Sequence, residues 1–378
     1  MPRPETTHTP LGEILAARIR ERGPIPFAEY MAECLYHSEH GYYSRAESRR
    51  FADYYTSVDV HPVFGRLLAR QLAEMWELVE RPAEFLVVDA GAGAARLAAH
   101  ILDFASQQLP EFYAALRYVV VERSAARRAA HTQQIGRHIA SGHARSSEAL
   151  PPAIPHGCIL SNELLDALPV HRVVLERGEL SELYVALDGD RFCEQTGPVS
   201  TPALADYFPE QGIELQEGQQ AEVNLAACEW IEAAGKALER GFVMTIDYGH
   251  EAQELYDERH LRGTLLAYGR HRAGEEFFRA PGEQDLTAHV NFTALDVWGR
   301  RAGLARTGLV SQAHLLMALG KQNDFADLYD AGQSEGDAVR ARLQLKNLIH
   351  PEGMGETFQV FIQHKGVASP RLTGLEPL

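Results

Sequence analysis

The chain has 378 residues, 45% of them hydrophobic, and a formal net charge of −16, which allows one large domain with additions, or two domains, and argues against a general nucleic-acid or anionic-membrane surface. Cys34, Cys158, Cys193 and Cys228 are scattered and form no CxxC, so a zinc or disulfide framework is not expected and a reducing compartment fits. No apolar run approaches membrane-spanning length and the N-terminus has no apolar signal segment, so the expectation is a cytoplasmic protein without membrane insertion.

Thr9-Pro10 reads as a helix cap with a first-turn proline, followed by a stripe of Leu11, Ile14, Leu15 and Ile19 that stops at Gly23-Pro24. A second helix from about Pro26 turns Phe27, Tyr30, Met31 and Cys34 inward, and a third carries Phe64, Leu67, Leu68, Leu72, Met75 and Trp76. Together these predict an N-terminal helical cap over 1–82. From Phe85 the pattern changes. "FLVVDA" and "RYVVVER" are continuous apolar runs of the kind expected for strands covered on both faces, each followed by a helix. "GCILSNELLDALP" and "GFVMTIDYG" supply further strands. Between them, "RVVLERGELSELYVALDGDRF" reads as antiparallel hairpins turning at Arg177-Gly178 and Asp188-Gly189, a β insertion over about 172–215, with a helix predicted at Ala221–Glu239. The alternation implies an α/β fold with a parallel, doubly wound sheet over 83–378, and "ETFQVFIQHKG" suits a late antiparallel strand. The polar stretch from about 250 to 290 predicts a lid in which Tyr256, Tyr268, Phe277 and Phe278 close on a bound peptide.

The chemistry concentrates at Asp89-Ala90-Gly91-Ala92-Gly93, where a buried strand meets an amphipathic helix. A dinucleotide fingerprint needs glycine or alanine at position 96, where Arg96 stands, and no G-K-[ST] follows for a phosphate loop. An acidic residue two places before a G-x-G suits S-adenosylmethionine: Asp89 beside its ammonium group, and the backbone of Gly91, Ala92 and Gly93 against its methionine portion. Glu122 ends the next strand, where a carboxylate can accept hydrogen bonds from both ribose hydroxyls.

At this point the sequence resembles the MidA-like S-adenosylmethionine-dependent methyltransferases, which include a mitochondrial complex I assembly factor that methylates an arginine of a complex I subunit. The resemblance runs through "GPIPFAEYM", "GYY", "DYYTSVDVHPVFGRLLA", "DAGAGAARL", "SNELLDALPVH", "DYGH", "DLTAHVNFTAL" and "MGETFQVF", in family order. It implies a class I methyltransferase-like (Rossmann-like) fold and a protein substrate. The chain departs from the family where Ala92 and Ala95 replace a proline and a glycine, and where Asn291 stands at a frequent aspartate. Alanine is tolerated at position 95 on the expectation of a negative φ.

The remaining assignments follow on that basis. Asn162 joins the cofactor set, and Thr56 and Ser57 line the same pocket. Glu163 or Asp166 holds a guanidinium group, unless the Asn162-Glu163 pair merely caps a helix beginning at Leu164. Asp247 and His250, at another strand end, orient the substrate or act catalytically. His37/His40 and Asp285/His289 each lack a third ligand, so no metal is expected. The expected activity is methylation of a protein arginine; the rival is a non-catalytic assembly chaperone that retains a nucleoside-binding site.

Overall fold

The computed structural model describes residues 9–44, 57–269, 272–330, 334–350, 355 and 357–378. Thr56 lies outside the described residues, and so does the side chain of Ser57, the first residue of the helix Ser57–Val60. The chain divides into two compact units. A sheet unit is drawn from Tyr55–Leu164, Ile231–Tyr248 and Gly299–Leu378, and an accessory unit from Met1–Tyr54, Leu165–Trp230 and Gly249–Trp298.

In the sheet unit the strand order is Ala305–Ser311, Phe358–Lys365, Leu238–His250, Ile154–Asn162, Phe85–Ala90, Leu116–Val121, Ala144–Ser147. The last five run parallel to one another. Phe358–Lys365 is antiparallel to both of its neighbours, as the late alternating segment predicts. The helices Arg96–Gln108 and Ala125–Ala140 provide the crossovers that parallel neighbours require. Phe85–Ala90 is an interior strand whose side chains are buried on both faces, which favours an apolar run; Phe85, Val87 and Val88 are fully buried, and Asp89 is the polar exception.

The helix Val63–Leu78 shares one core with this sheet: Phe64, Leu67, Leu68 and Leu72 cluster with Phe85, Val87, Leu160 and Met244. The cap expected over 1–82 is thereby corrected. A helix with so wide an apolar stripe is needed to cover the parallel sheet, and of the helices expected in that cap only those before residue 45 belong to the accessory unit. The first of them, Pro10–Arg22, begins as predicted: the Thr9 hydroxyl accepts the Gly12 N–H at 3.0 Å. Ile14, placed on its inner stripe, is exposed.

The accessory unit is built on hairpins. His171–Glu176, Glu179–Asp188 and Arg191–Gly197 form an antiparallel set, extended by Gln220–Val223 and by Ile25–Pro26. Arg177 and Gly178 both have positive φ (56° and 72°), as a two-residue turn matched to strand twist requires. The insertion thus reaches past residue 215, and the predicted helix at Ala221–Glu239 begins later, at Leu225, because 220–223 pairs with His171–Val174. Asn224 marks the change, its Oδ1 accepting the Ala227 N–H at 2.8 Å.

Parts of the segment from 250 to 290 pack into the accessory unit among the described residues. Leu266–Gly269, Arg272–Gly274 and Asp285–Thr287 form a small antiparallel sheet. Phe277 and Phe278 lie edge-on to Phe27, at ring separations of 5.4 and 6.4 Å, and Tyr30 donates to the Phe277 carbonyl. Tyr256 is buried, with its hydroxyl on the Glu222 carbonyl. These aromatics supply core within the accessory unit, and the expectation of a free lid is corrected accordingly. Leu286, 1% exposed, measures this. Leu286→Ala is expected to cost about 2–5 kcal/mol in urea unfolding, whereas a flap open to solvent would lose almost nothing.

Candidate cofactor and active site

Phe85–Ala90 ends on a sharp turn. The N–H groups of Gly91 and Ala92 both donate to the carbonyl of Val121, at 2.9 and 3.1 Å, tying the turn to the neighbouring strand. Gly91 has φ +73°, a conformation that demands glycine, and a Cβ there would stand 2.8 Å from the Cδ1 end of Leu164, which would have to give way. Gly93, φ +55°, has no atom within 4 Å of where its Cβ would be. It presents an open backbone edge that a ligand can approach closely. Ala95 has φ +64° and ψ 29°, in the left-handed region, rather than the negative φ expected of it. A side chain there costs roughly 1–2 kcal/mol, and the fully buried methyl lies in the core shared with the sheet.

The carboxylate of Glu122 crosses this turn, accepting the Gly93 N–H at 3.1 Å and the Ser124 N–H at 2.8 Å. Each oxygen keeps a further acceptor position. The expectation that turn amides face the ligand needs correction: those of Gly91, Ala92, Gly93 and Ala95 all donate internally. Asp89 is corrected too. It is 2% exposed and takes a 3.1 Å hydrogen bond from Tyr118, a geometry that leaves it little surface for a ligand's ammonium group. Burial pushes its carboxyl up to about 7; the nearby Glu122 charge acts in the same direction, and the Tyr118 hydroxyl opposes it.

His131 carries a role that periodicity could not reveal. It is buried, with Nε2 2.9 Å from the Gly93 carbonyl and Nδ1 2.9 Å from the Ser146 hydroxyl. The carbonyl can only accept, so Nε2 bears the proton. The turn is therefore gripped by Val121, Glu122 and His131.

Asn162 and Glu163 follow the Ile154–Asn162 strand. Glu163 takes φ +52°, donates its N–H to the Ile246 carbonyl at 2.9 Å, and receives the Asn162 side-chain amide on Oε1 at 3.1 Å. No α-helix begins at Leu164, so the capping alternative fails. Strain of this kind persists where surrounding contacts enforce it, often at functional sites. Asp247 is one such contact. Fully buried, its carboxylate accepts the N–H groups of Leu164 at 3.2 Å and Tyr248 at 3.0 Å. It fixes the turn that presses Leu164 onto Gly91, a positioning role in place of the catalytic one expected.

Asp166 and His250 belong to the accessory unit. Asp166 is buried, and its carbonyl accepts the Ala288 N–H. His250 lies 3.3 Å from Glu254, its ring 5.3 Å from that of His289 and 5.6 Å from that of His260. Among the described residues no group of three His, Cys, Asp or Glu is arranged to hold a metal ion. Asn291, at the family's aspartate, is an integral part of the packing. Its Oδ1 accepts the Ala294 N–H at 3.0 Å, and its amide donates to Gln211 at 2.7 Å and Tyr207 at 3.1 Å.

A parallel sheet of this strand order, with an antiparallel strand inserted near one edge, a glycine turn after the first strand and an acidic residue after the second, defines a Rossmann-like methyltransferase. Residues 67–310 match the family described as "Putative S-adenosyl-L-methionine-dependent methyltransferase", and the chain belongs to that family. It is 27% identical, over 97% of its length and 88% of the relative's, to the mitochondrial protein arginine methyltransferase NDUFAF7 homolog of Drosophila melanogaster. It is 26% identical to human NDUFAF7, covering 94% of this chain and 84% of that one. A "likely methyl transferase" of Burkholderia thailandensis, solved bound to S-adenosyl-homocysteine, superposes with a TM-score of 0.84 at 31% identity, covering 96% and 94% of the two chains. The protein is an S-adenosylmethionine-dependent methyltransferase, and the open edge at Gly93 beside Glu122 fits that cofactor.

Two measurements probe the turn. Because Asp89 binds its proton more tightly folded than unfolded (about 7 against 3.8), wild-type stability falls as pH rises from about 4 through 7. Asp89→Asn removes that dependence, so its unfolding free energy from urea titration, relative to wild type, is expected to climb over this range by an amount on the order of a few kcal/mol. His131→Leu is expected to weaken S-adenosylhomocysteine binding about tenfold in calorimetry, while His131→Gln, which can still donate to Gly93, retains most of the affinity.

Proposed function

We propose that this enzyme methylates an arginine side chain of a protein partner. The observation that carries the reading is the match, over nearly the whole chain, to proteins named protein arginine methyltransferases. The resemblance seen in the sequence points to a respiratory complex I subunit as the partner.

When bound, the cofactor would supply an electrophilic methyl group on sulfur. Gly91, Ala92 and Gly93 would offer it a close backbone surface, and Glu122, whose two oxygens each keep a further acceptor position, would hold the ribose hydroxyls, with Asn162 as a further contact. A guanidinium group is protonated at neutral pH, its pKa above about 12. One nitrogen could attack only if it is held in line with the methyl, so that the N–C bond forms as the S–C bond breaks, and if an N–H proton passes to a nearby carboxylate or to water. Glu163 is the carboxylate for that task. It is held at the turn next to Gly91, in a conformation that its hydrogen bond to Ile246 enforces. Asp166 and His250 are secondary candidates for contacts to the substrate. The non-catalytic reading draws on Ala92, Ala95 and Asn291; the hydrogen bonds of the Asn291 amide to Gln211 and Ala294 support a packing role for that residue.

The test is mass spectrometry of candidate complex I subunits incubated with the enzyme and cofactor. Methylation is expected on arginine; modification confined to another residue type would end the arginine reading. Glu163→Gln is expected to cut turnover at least about tenfold, about 1.4 kcal/mol of barrier. Its affinity for S-adenosylhomocysteine should stay near wild type. Loss of cofactor binding instead would move Glu163 into the cofactor set.

A further inference from the structure

The accessory unit contains a cavity of about 430 Å³ that the cofactor site does not use. Its size falls in the range of small-ligand pockets, roughly 300–1,000 Å³. The wall is formed by the backbone run from Arg262 to Leu266, by Phe277 and Phe278, and by His260 and His289, with Glu194 and Glu275 supplying the carboxylates. Phe277 and Phe278, assigned to a lid on sequence grounds, are fixed parts of this wall.

The charges around the cavity are unequally committed. Arg172 is spent on the protein: its guanidinium lies 5.0 Å from the Phe277 ring and 5.6 Å from the Phe27 ring, donates to Gln220 and pairs with Glu194. Glu222 stands 3.8 Å from it and receives the Thr264 N–H. Among the described residues neither Glu275 nor the exposed Arg262 forms a direct salt bridge, although both lie close enough to Arg172 to act on its charge, Glu275 favourably and Arg262 unfavourably. Two carboxylates (Glu194, Glu275) and two guanidinium groups (Arg172, Arg262) line the cavity, and Glu222 behind them adds a third negative charge close to Arg172. His289, pushed down to about 4 by burial and by the neighbouring His250 and His260, is neutral and adds no positive charge. The cavity therefore combines aromatic edges, a neutral imidazole and an exposed carboxylate, that of Glu275, which makes no direct salt bridge. Arg172 already shows that a guanidinium group is stable against Phe277 in this setting.

We infer that this cavity is a recognition pocket for a guanidinium-bearing side chain of the protein substrate, with Glu275 as its anionic contact. The inference rests on the arginine reading for its biological meaning, but binding can be measured without cofactor or turnover. The probes are N-acetyl-arginine amide, its uncharged isostere N-acetyl-citrulline amide, and inorganic phosphate, titrated onto the full chain by saturation-transfer NMR. The arginine probe is expected to bind at least about fivefold more tightly than the citrulline probe. Glu275→Gln, at an exposed position, is expected to weaken it about three- to tenfold with thermal stability unchanged, and Arg262→Gln to strengthen it or leave it unaltered. Equal binding of citrulline, an unaffected Glu275→Gln variant, or a preference for phosphate would each overturn the pocket. Methylation that continues without arginine-probe binding refutes the pocket alone. Probe binding that depends on Glu275, in an enzyme that methylates no arginine, refutes the catalytic reading alone.

Discussion

Two N–H groups, those of Gly91 and Ala92, converge on one carbonyl, that of Val121. The chain must leave the Phe85–Ala90 strand and double back at once, and this shared acceptor registers the turn against the adjacent strand. Once that is set, Glu122 follows Val121 and falls across Gly93, and the helix Ala125–Ala140 brings His131 under the same residue. A backbone placed this firmly can offer a cofactor a fixed edge with little reorganisation on binding.

The second strand end is organised by the same economy of buried donors and acceptors. The Asp247 carboxylate takes the Leu164 N–H, and the Ile246 carbonyl takes that of Glu163. These bonds hold Glu163 at positive φ and seat Leu164 where a methyl group on Gly91 would stand. A buried carboxylate is tolerable here because it satisfies backbone groups that would otherwise go unpaired in a dry environment. In the accessory unit the equivalent work falls to Arg172, whose charge is absorbed by Glu194, Glu222 and two phenylalanine rings.

Much of the sheet unit could be read directly. Continuous apolar runs mark strands covered on both faces, and partial alternation marks the antiparallel Phe358–Lys365. The Arg177-Gly178 turn and the Thr9 cap follow from chemistry confined to a few residues. The extent of the accessory unit was less accessible. Its strands come from three separate stretches of chain, and a pattern within one stretch does not say which other stretch will cover it.

The sequence alone therefore determined what depends on neighbours along the chain: the parallel sheet, the glycine turn with its acidic partner Glu122, and through them the methyltransferase class. Tertiary structure decided the rest. Asp89 turned to Tyr118, Asp247 became a bracket for backbone amides, Ala95 was forced to positive φ, and Leu265, Ala267, Phe277, Phe278 and Leu286 joined the core of the accessory unit. Each outcome depends on which donor, ring or methyl group arrives from a distant segment. The burial of polar groups and the close packing of apolar ones are settled only when those segments meet.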